Sequence, residues 1–268
     1  MVASALVLLV LQCLSALVPS SMQLPLAPTL APLGEQPRAA LARLSQLGFR
    51  HVQLGANQPG LRPRELDRSA RRDLAATLRR HEVSASGVDL WVPTSHFFEP
   101  ARADRAVAAV LEAIELAGSL GRCPVSLNLP AAEACAEQGS VIETIAECAA
   151  HHGVEIADHA VGAGRWAELG VGIDPAAWLS QDEDPAAGMI AEAGRLVSVR
   201  LCDLLSSGLR GPIGDPQEGR LDVLEYKVAI SVCGYTRPVV VDARQWSDPW
   251  AGLEQTGEAW RGSDEVTK

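Results

Sequence analysis

The sequence predicts an α/β protein, a single (β/α)8 TIM barrel with a shortened fifth helix region, and three observations carry that prediction. Eight short apolar segments, of the kind that form strands buried on both faces, recur from residue 22 towards the C-terminus. Amphipathic stretches separate them, so strand and helix alternate. Glycine stands where helices should turn into strands: Gly48 in LSQLGFRHVQLG (44–55) and Gly121 in AGSLGRCPVSLNL (117–129) each follow a helix end and precede a strand. Eight such units favour a closed barrel over an open doubly wound sheet, and 268 residues is a sufficient length for one.

In chain order, the first strand is expected at residues 23–30, although Pro25, Pro28 and Pro32 weaken its hydrogen bonding. A helix at 37–47 leads to a strand at 50–54, a helix at 65–80 to a strand at 83–90, and a helix at 101–120 to a strand at 124–129. A helix at 140–152 precedes the strand at 154–158. The interval 160–169 is too short for a full helix, so a loop or single turn is expected before the strand at 170–173. Asp182, Glu183 and Asp184 ahead of Pro185 mark the start of a helix at 184–193, with acids near the positive end of its dipole. A strand at 196–201, a helix at 221–232, a strand at 238–241 and a helix at 248–260 complete the series.

The barrel domain is expected to span residues 22–268, after an apolar N-terminal extension at 1–21. Residues 2–18 carry no charge and are followed by Pro19, Ser20 and Ser21, as at the exit of a signal peptide, yet no Lys or Arg precedes them. A cleaved signal implies export; a true start at Met22 implies a cytoplasmic protein. No stable membrane span is expected from so short a segment.

A net charge of -10 would repel a phosphate backbone, so nucleic acid is not an expected partner. The six cysteines, Cys13, Cys123, Cys135, Cys148, Cys202 and Cys233, form no C-x-x-C pair and read as small apolar side chains. Neither a G-x-G-x-x-G after the first strand nor a Walker loop is present.

In a barrel of this kind the reacting groups stand at the C-terminal ends of the strands. That rule selects Gln53, Trp91, His96, Asn128, Asp158, His159, Asp174, Arg200, Asp203 and Asp242. Asp203 reads as a cap for the loop that follows it. Trp91, His96, Phe97 and Phe98 could wall a sugar ring, or equally belong to core or a subunit contact.

LSQLGFRHVQLG, LGVGIDPAAW (169–178), LVSVRLCD (196–203) and CGYTRPVVVDAR (233–244) together resemble the sugar phosphate isomerase/epimerase family, the xylose isomerase-like TIM barrels. The resemblance runs over nearly the whole chain from Met22 and rests on order and spacing more than on any one motif. It implies a divalent metal (Mn, Co, Mg or Zn) held by Glu, Asp, His and Glu, with the two glutamates moving the proton. Residue by residue, His159 stands at the first Glu, Asp174 matches the Asp, Arg200 replaces the His and Asp242 replaces the last Glu. Gln53, Ala177 and Cys202 depart further, from Glu, His and Lys. A guanidinium has no lone pair for a metal, so Arg200 argues against the usual site and leaves His159, Asp174 and Asp242 as the remaining ligand set.

Two readings follow. In the first, the protein is an isomerase or epimerase acting beside a carbonyl of a ketose, with Asp242 as base, His159 as partner acid or ligand, and Asp174 as ligand. Arg200, Trp91, His96 and Asn128 would bind a small sugar or sugar phosphate. In the second, the barrel has lost metal chemistry, Arg200 forms a buried ion pair with Asp174 and Asp242, and the mouth binds a carbohydrate or acidic metabolite.

Overall fold

The computed structural model describes residues 24–34, 36–131, 139–162 and 165–262. The N-terminal extension, Cys13 and Cys135 lie outside them. Eight parallel strands form the barrel: β1 (Leu26–Pro28), β2 (His51–Gly55), β3 (Ser84–Asp89), β4 (Val125–Leu127), β5 (Ile156–Asp158), β6 (Gly170–Ile173), β7 (Leu196–Leu201) and β10 (Val239–Val241). A two-stranded antiparallel hairpin, β8 (Asp203–Leu204) with β9 (Arg210–Gly211), follows β7. Around the strands lie α1 (Pro37–Gln46), α2 (Arg68–Arg80), α3 (Ala103–Ser119), α4 (Gly139–His152), α5 (Pro175–Leu179), α6 (Pro185–Ala191), α7 (Val223–Val232) and α8 (Pro249–Gly262).

Apart from β3, whose Ser84 is exposed and whose buried residues are Gly87 and Val88, the strands are mostly buried because one face meets the barrel interior and the other the helices, which is why the segments read as apolar runs without alternation. The ring closes between β1 and β2, where the Leu30 N–H donates to the Gln53 carbonyl at 2.9 Å and Thr29 bridges Gln53. Pro28 fits the first strand after all. Thr29 N–H faces β10, donating to Val241 O at 2.9 Å, so the missing N–H of Pro28 falls on the β2 side, just before pairing begins there.

The glycine signals correspond to left-handed helix ends. Gly48 has φ +89°, the Phe49 N–H reaches back to Leu44 O at 3.0 Å and the Gly48 N–H to Ser45 O at 3.1 Å, the two bonds of a Schellman end. Gly121 repeats this at φ +101°, with the Arg122 N–H on Ala117 O.

Among the described residues no helix lies between β5 and β6, as the short interval required. Two elements were not foreseen. One is α5, five residues begun by Pro175 and capped by Asp174, whose carboxylate accepts the Ala177 N–H at 3.3 Å. The other is the β8–β9 hairpin, too short to leave a periodic signal.

Asp203 organises that hairpin. Its Oδ1 accepts the N–H groups of Leu204, Arg220 and Leu221, each at 2.8 Å, and so ties β8 to the chain entering α7. Asp203→Ala would strand three donors that are buried or half-buried, and should lower stability to urea by about 2–4 kcal/mol. Asp203→Asn, which keeps an acceptor oxygen, should cost less; equal, negligible losses in both variants would show that this carboxylate organises nothing.

Candidate functional site

The C-terminal ends of β3, β6, β7 and β10, with the hairpin, bring three aspartates and three arginines together at the barrel mouth. Asp174 is held in a fork by Arg210: Oδ1 meets Nη1 and Oδ2 meets Nη2, both at 2.7 Å. Arg244 binds Asp242 through Nε at 2.8 Å to Oδ1 and through Nη2 to Oδ2. Arg200 reaches all three acids, Asp89 through Nη2, and Asp174 and Asp242 through Nη1 at 3.3 and 3.4 Å. Arg210 Nη1 also lies 3.1 Å from Asp242 Oδ2 and 3.2 Å from Cys202 Sγ. Asp242, Asp174 and Arg200 are 0, 2 and 3% exposed, so the centre of the network sits out of water, while Asp89, Arg210 and Arg244 at its edge are partly exposed.

Burial alone would raise the pKa of both inner acids. For Asp174 the charges of Arg210, Arg200 and Arg244 and the hydrogen bond from Arg210 prevail and hold the carboxyl well below its ordinary range. For Asp242 the charge and hydrogen bond of Arg244, with Arg200 behind them, do the same against the repulsion of Asp174. Burial pushes the Cys202 thiol well up, helped by Asp174, which keeps it protonated.

His159 sits at the end of β5, buried, with neither Nδ1 nor Nε2 partnered among the described residues. Its ring lies against Gly172, where a Cβ would come within 2.4 Å of Cε1 and Nε2, so the glycine makes the room the imidazole occupies. Burial first, then the charges of Arg200 and Arg244, lower its pKa well below the usual histidine value and keep it neutral.

No protein-family model and no curated protein matches the sequence. Solved structures do. An L-ribulose 3-epimerase superposes with a TM-score of 0.72 at 16% identity, over 90% of this chain and 95% of that one. A xylose isomerase domain protein from Planctomyces limnophilus gives 0.65 at 16% identity, over 91% and 96%. A sugar phosphate isomerase/epimerase from Parabacteroides distasonis gives 0.66 at 12% identity, over 93% and 99%. The fold is the TIM barrel that these structures share.

On this barrel frame the side chains singled out from sequence divide into groups. Asp174, Arg200 and Asp242 meet in the network. His159 lies close enough to feel the charges of Arg200, Arg244 and Asp242 but bonds to none of them. Trp91, at 47% exposure, lies over Arg244, with the guanidinium carbon 4.7 Å from the ring centroid. His96 stands further out, its Nε2 2.9 Å from Arg102 Nη1. Asn128, half-buried just after β4, lines neither of the two mouth cavities described below.

Asp89, Arg210 and Arg244 were not selected from the sequence. Asp89 ends β3 and Arg244 follows Asp242 by two residues, so the strand-end rule reaches both. Arg210 belongs to the unforeseen hairpin, and only the fold brings it to Asp174.

Among the described residues, the donor atoms that approach one another as metal ligands would are those of Asp174, Cys202 and Asp242, within 4.8 Å; His159 is not one of them. This set does not fit a divalent ion. Arg210 Nη1 already lies against all three donor atoms, a cation at their centre that offers no lone pair.

A cavity of about 240 Å³ opens beside the network, lined in part by Gln53, Gln58, Asp89, Trp91 and Arg244. Around it, Gln53 Nε2, Gln58 Oε1 and Arg244 Nη1 have no protein partner among the described residues. A second cavity of about 450 Å³ shares Asn57 and Trp91 with the first and includes His96.

Asp174 and Asp242 are more acidic folded than unfolded. Their ion pairs therefore stabilise the protein fully above the ordinary value of 3.8, and that stabilisation is lost as pH falls below it. Asp158 and Asp203, pushed up mainly by burial, act in the opposite sense, so a variant is needed to isolate the cluster. Asp174→Asn should be less stable than the wild type at pH 7 by about 3–5 kcal/mol. Its melting temperature should fall less steeply between pH 5 and pH 3; parallel curves would mean that Asp174 does not carry the acid sensitivity.

Proposed function

We propose that this barrel binds a small sugar or sugar derivative at its mouth without divalent metal chemistry, the three arginines serving as the fixed positive charge of the site. The observation that carries the reading is Arg210 Nη1, in contact with Asp174 Oδ1, Asp242 Oδ2 and Cys202 Sγ together. A guanidinium there holds the acids neutralised as an ion would, but it has no exchangeable coordination position at which a substrate oxygen could be polarised.

The same contacts weigh against proton abstraction. A general base for a C–H group needs a pKa near the working pH, and the Asp242 carboxylate is held below its ordinary value by Arg244 and Arg200 despite burial. His159 is neutral and so available to accept a proton, but it is buried and bonded to no acid that would orient it.

A sugar ligand is supported by the lining and by the neighbours. Trp91 offers an apolar face for C–H groups, and the polar side chains of Gln53, Gln58 and Arg244 line the same cavity, each with a buried polar atom that has no protein partner among the described residues. The structural neighbours include an L-ribulose 3-epimerase, a D-tagatose 3-epimerase-like protein and a D-psicose 3-epimerase in the presence of D-fructose.

Calorimetric titration with Mn²⁺, Co²⁺, Mg²⁺ and Zn²⁺ should show no stoichiometric uptake. Ketoses incubated in D₂O with protein and each ion should gain no deuterium beside the carbonyl. Ligand-observed NMR should still detect ketose binding, weakened about tenfold by Trp91→Ala. Stoichiometric Mn²⁺ uptake abolished by Asp174→Ala, or deuterium incorporation, would overturn the reading in favour of a metal-dependent or proton-transferring enzyme.

A further inference from the structure

The second mouth cavity is basic in a chain whose net charge is -10. Its charged and titratable lining consists of Arg62, Arg64, Arg102, Arg105, His96 and Glu112. These residues come from the segment after β2, the segment after β3 and the first two to three turns of α3, all at the end of the barrel that holds the arginine–aspartate network.

Two of the four arginines are already neutralised: Arg62 by Glu65 at 3.0 Å and Arg102 by Glu99 at 3.2 Å. Arg64 and Arg105 form no ion pair or hydrogen bond among the described residues, and Glu112 stands two turns along α3 from Arg105. The placement is also unfavourable in itself. Arg102 occupies the N-cap position of α3 without a side-chain capping bond, and Arg105 follows Asp104 in the first turn, at the positive end of the 17-residue helix dipole, where cations are disfavoured and anions favoured. Unpaired positive charge from the segment after β2, on Arg64, and from the start of α3, on Arg105, thus lines a cavity that holds one acid, Glu112, among its described lining residues.

We propose that this cavity is a subsite for a phosphate monoester, contacted by Arg64, Arg105, Arg102 and His96. The inference rests on the sugar-binding reading of the mouth and names the ligand class more closely. Phosphate suits the site because guanidinium groups pair with its oxygens through two N–H groups at once, and because a helix start adds its own positive end. Joining the two cavities follows from their shared wall. Asn57 and Trp91 line both, and Asn57 Nδ2 donates to the Trp91 carbonyl at 2.6 Å, fixing the partition between them. A ligand whose hydroxyls face Gln53 and Arg244 would extend its phosphate across Trp91 into the basic cavity.

The test measures binding of D-fructose, D-fructose 6-phosphate and inorganic phosphate to the wild type and to Arg64→Ser/Arg105→Ser. Both arginines are exposed, so the double variant should melt as the wild type does. Saturable one-to-one binding of inorganic phosphate, and a phosphorylated ketose held at least about tenfold more tightly than the free ketose, are expected, with both advantages lost in the double variant and fructose binding unchanged. Fructose and its 6-phosphate binding equally, with no saturable phosphate binding, would overturn the subsite and leave the sugar-binding mouth standing. Phosphate and fructose 6-phosphate binding lost in the double variant, with no binding of free fructose, would support the subsite and count against the sugar-binding reading of the mouth. Phosphate binding that survives the double variant would overturn the assignment to these arginines.

Discussion

Charge neutralisation inside the barrel mouth is the constraint on which the rest of this structure depends. Moving a carboxylate or a guanidinium out of water costs several kcal/mol per ion even after relaxation, and here several are moved together. The arrangement is tolerable because three acids meet three arginines with dense hydrogen bonding: Arg210 forks onto Asp174, Arg244 clasps Asp242, and Arg200 links both to Asp89. The residues come from β3, β6, β7, β9 and the turn after β10, so the network ties together opposite parts of the ring. Tyr226 on α7 adds a buried bond from its hydroxyl to the Arg200 carbonyl at 2.8 Å, linking the helical layer to the strand that carries the central arginine.

This constraint also shapes what the mouth does. A metal ion and a guanidinium both supply positive charge, but an ion exchanges ligands and polarises whatever oxygen enters its shell, whereas a guanidinium offers N–H groups in a fixed plane. With Arg210 seated among Asp174, Asp242 and Cys202, the acids are spent on internal pairing. The polar atoms without a protein partner among the described residues include Gln53 Nε2, Gln58 Oε1 and Arg244 Nη1, buried atoms of residues that line the adjoining cavity. The second cavity extends that pattern, since its unpaired arginines lie on loops and a helix start whose geometry the barrel sets.

Much of the architecture was legible because it depends on short-range features. Residues 170–173 and 196–201 form the strands expected of them, since an apolar run of four to six residues between turn signals has few other uses in an alternating chain. Gly48 and Gly121 were readable as helix ends because positive φ is a local requirement. Asp203 was readable as a cap, and three backbone N–H groups meet it. The hairpin escaped notice because two-residue strands have no period, and with it went Arg210. Arg244 was in plain view beside Asp242, but nothing local distinguishes an arginine that turns inward from one that points to solvent.

The sequence by itself determined the barrel, the order of its units, and the substitution of arginine and aspartate at positions where metal ligands are expected by resemblance. Each of these is written in local pattern: hydrophobic runs, glycine at helix ends, and residue type at strand ends. Only the tertiary structure decided that Asp174 and Asp242 are engaged by three arginines rather than one, that Cys202 and not His159 stands beside them, and that two cavities adjoin at Trp91. Those outcomes depend on distances between residues far apart in the chain, Trp91 and Arg244 among them. Such distances are set by barrel closure and hairpin placement, which local sequence does not encode one residue at a time.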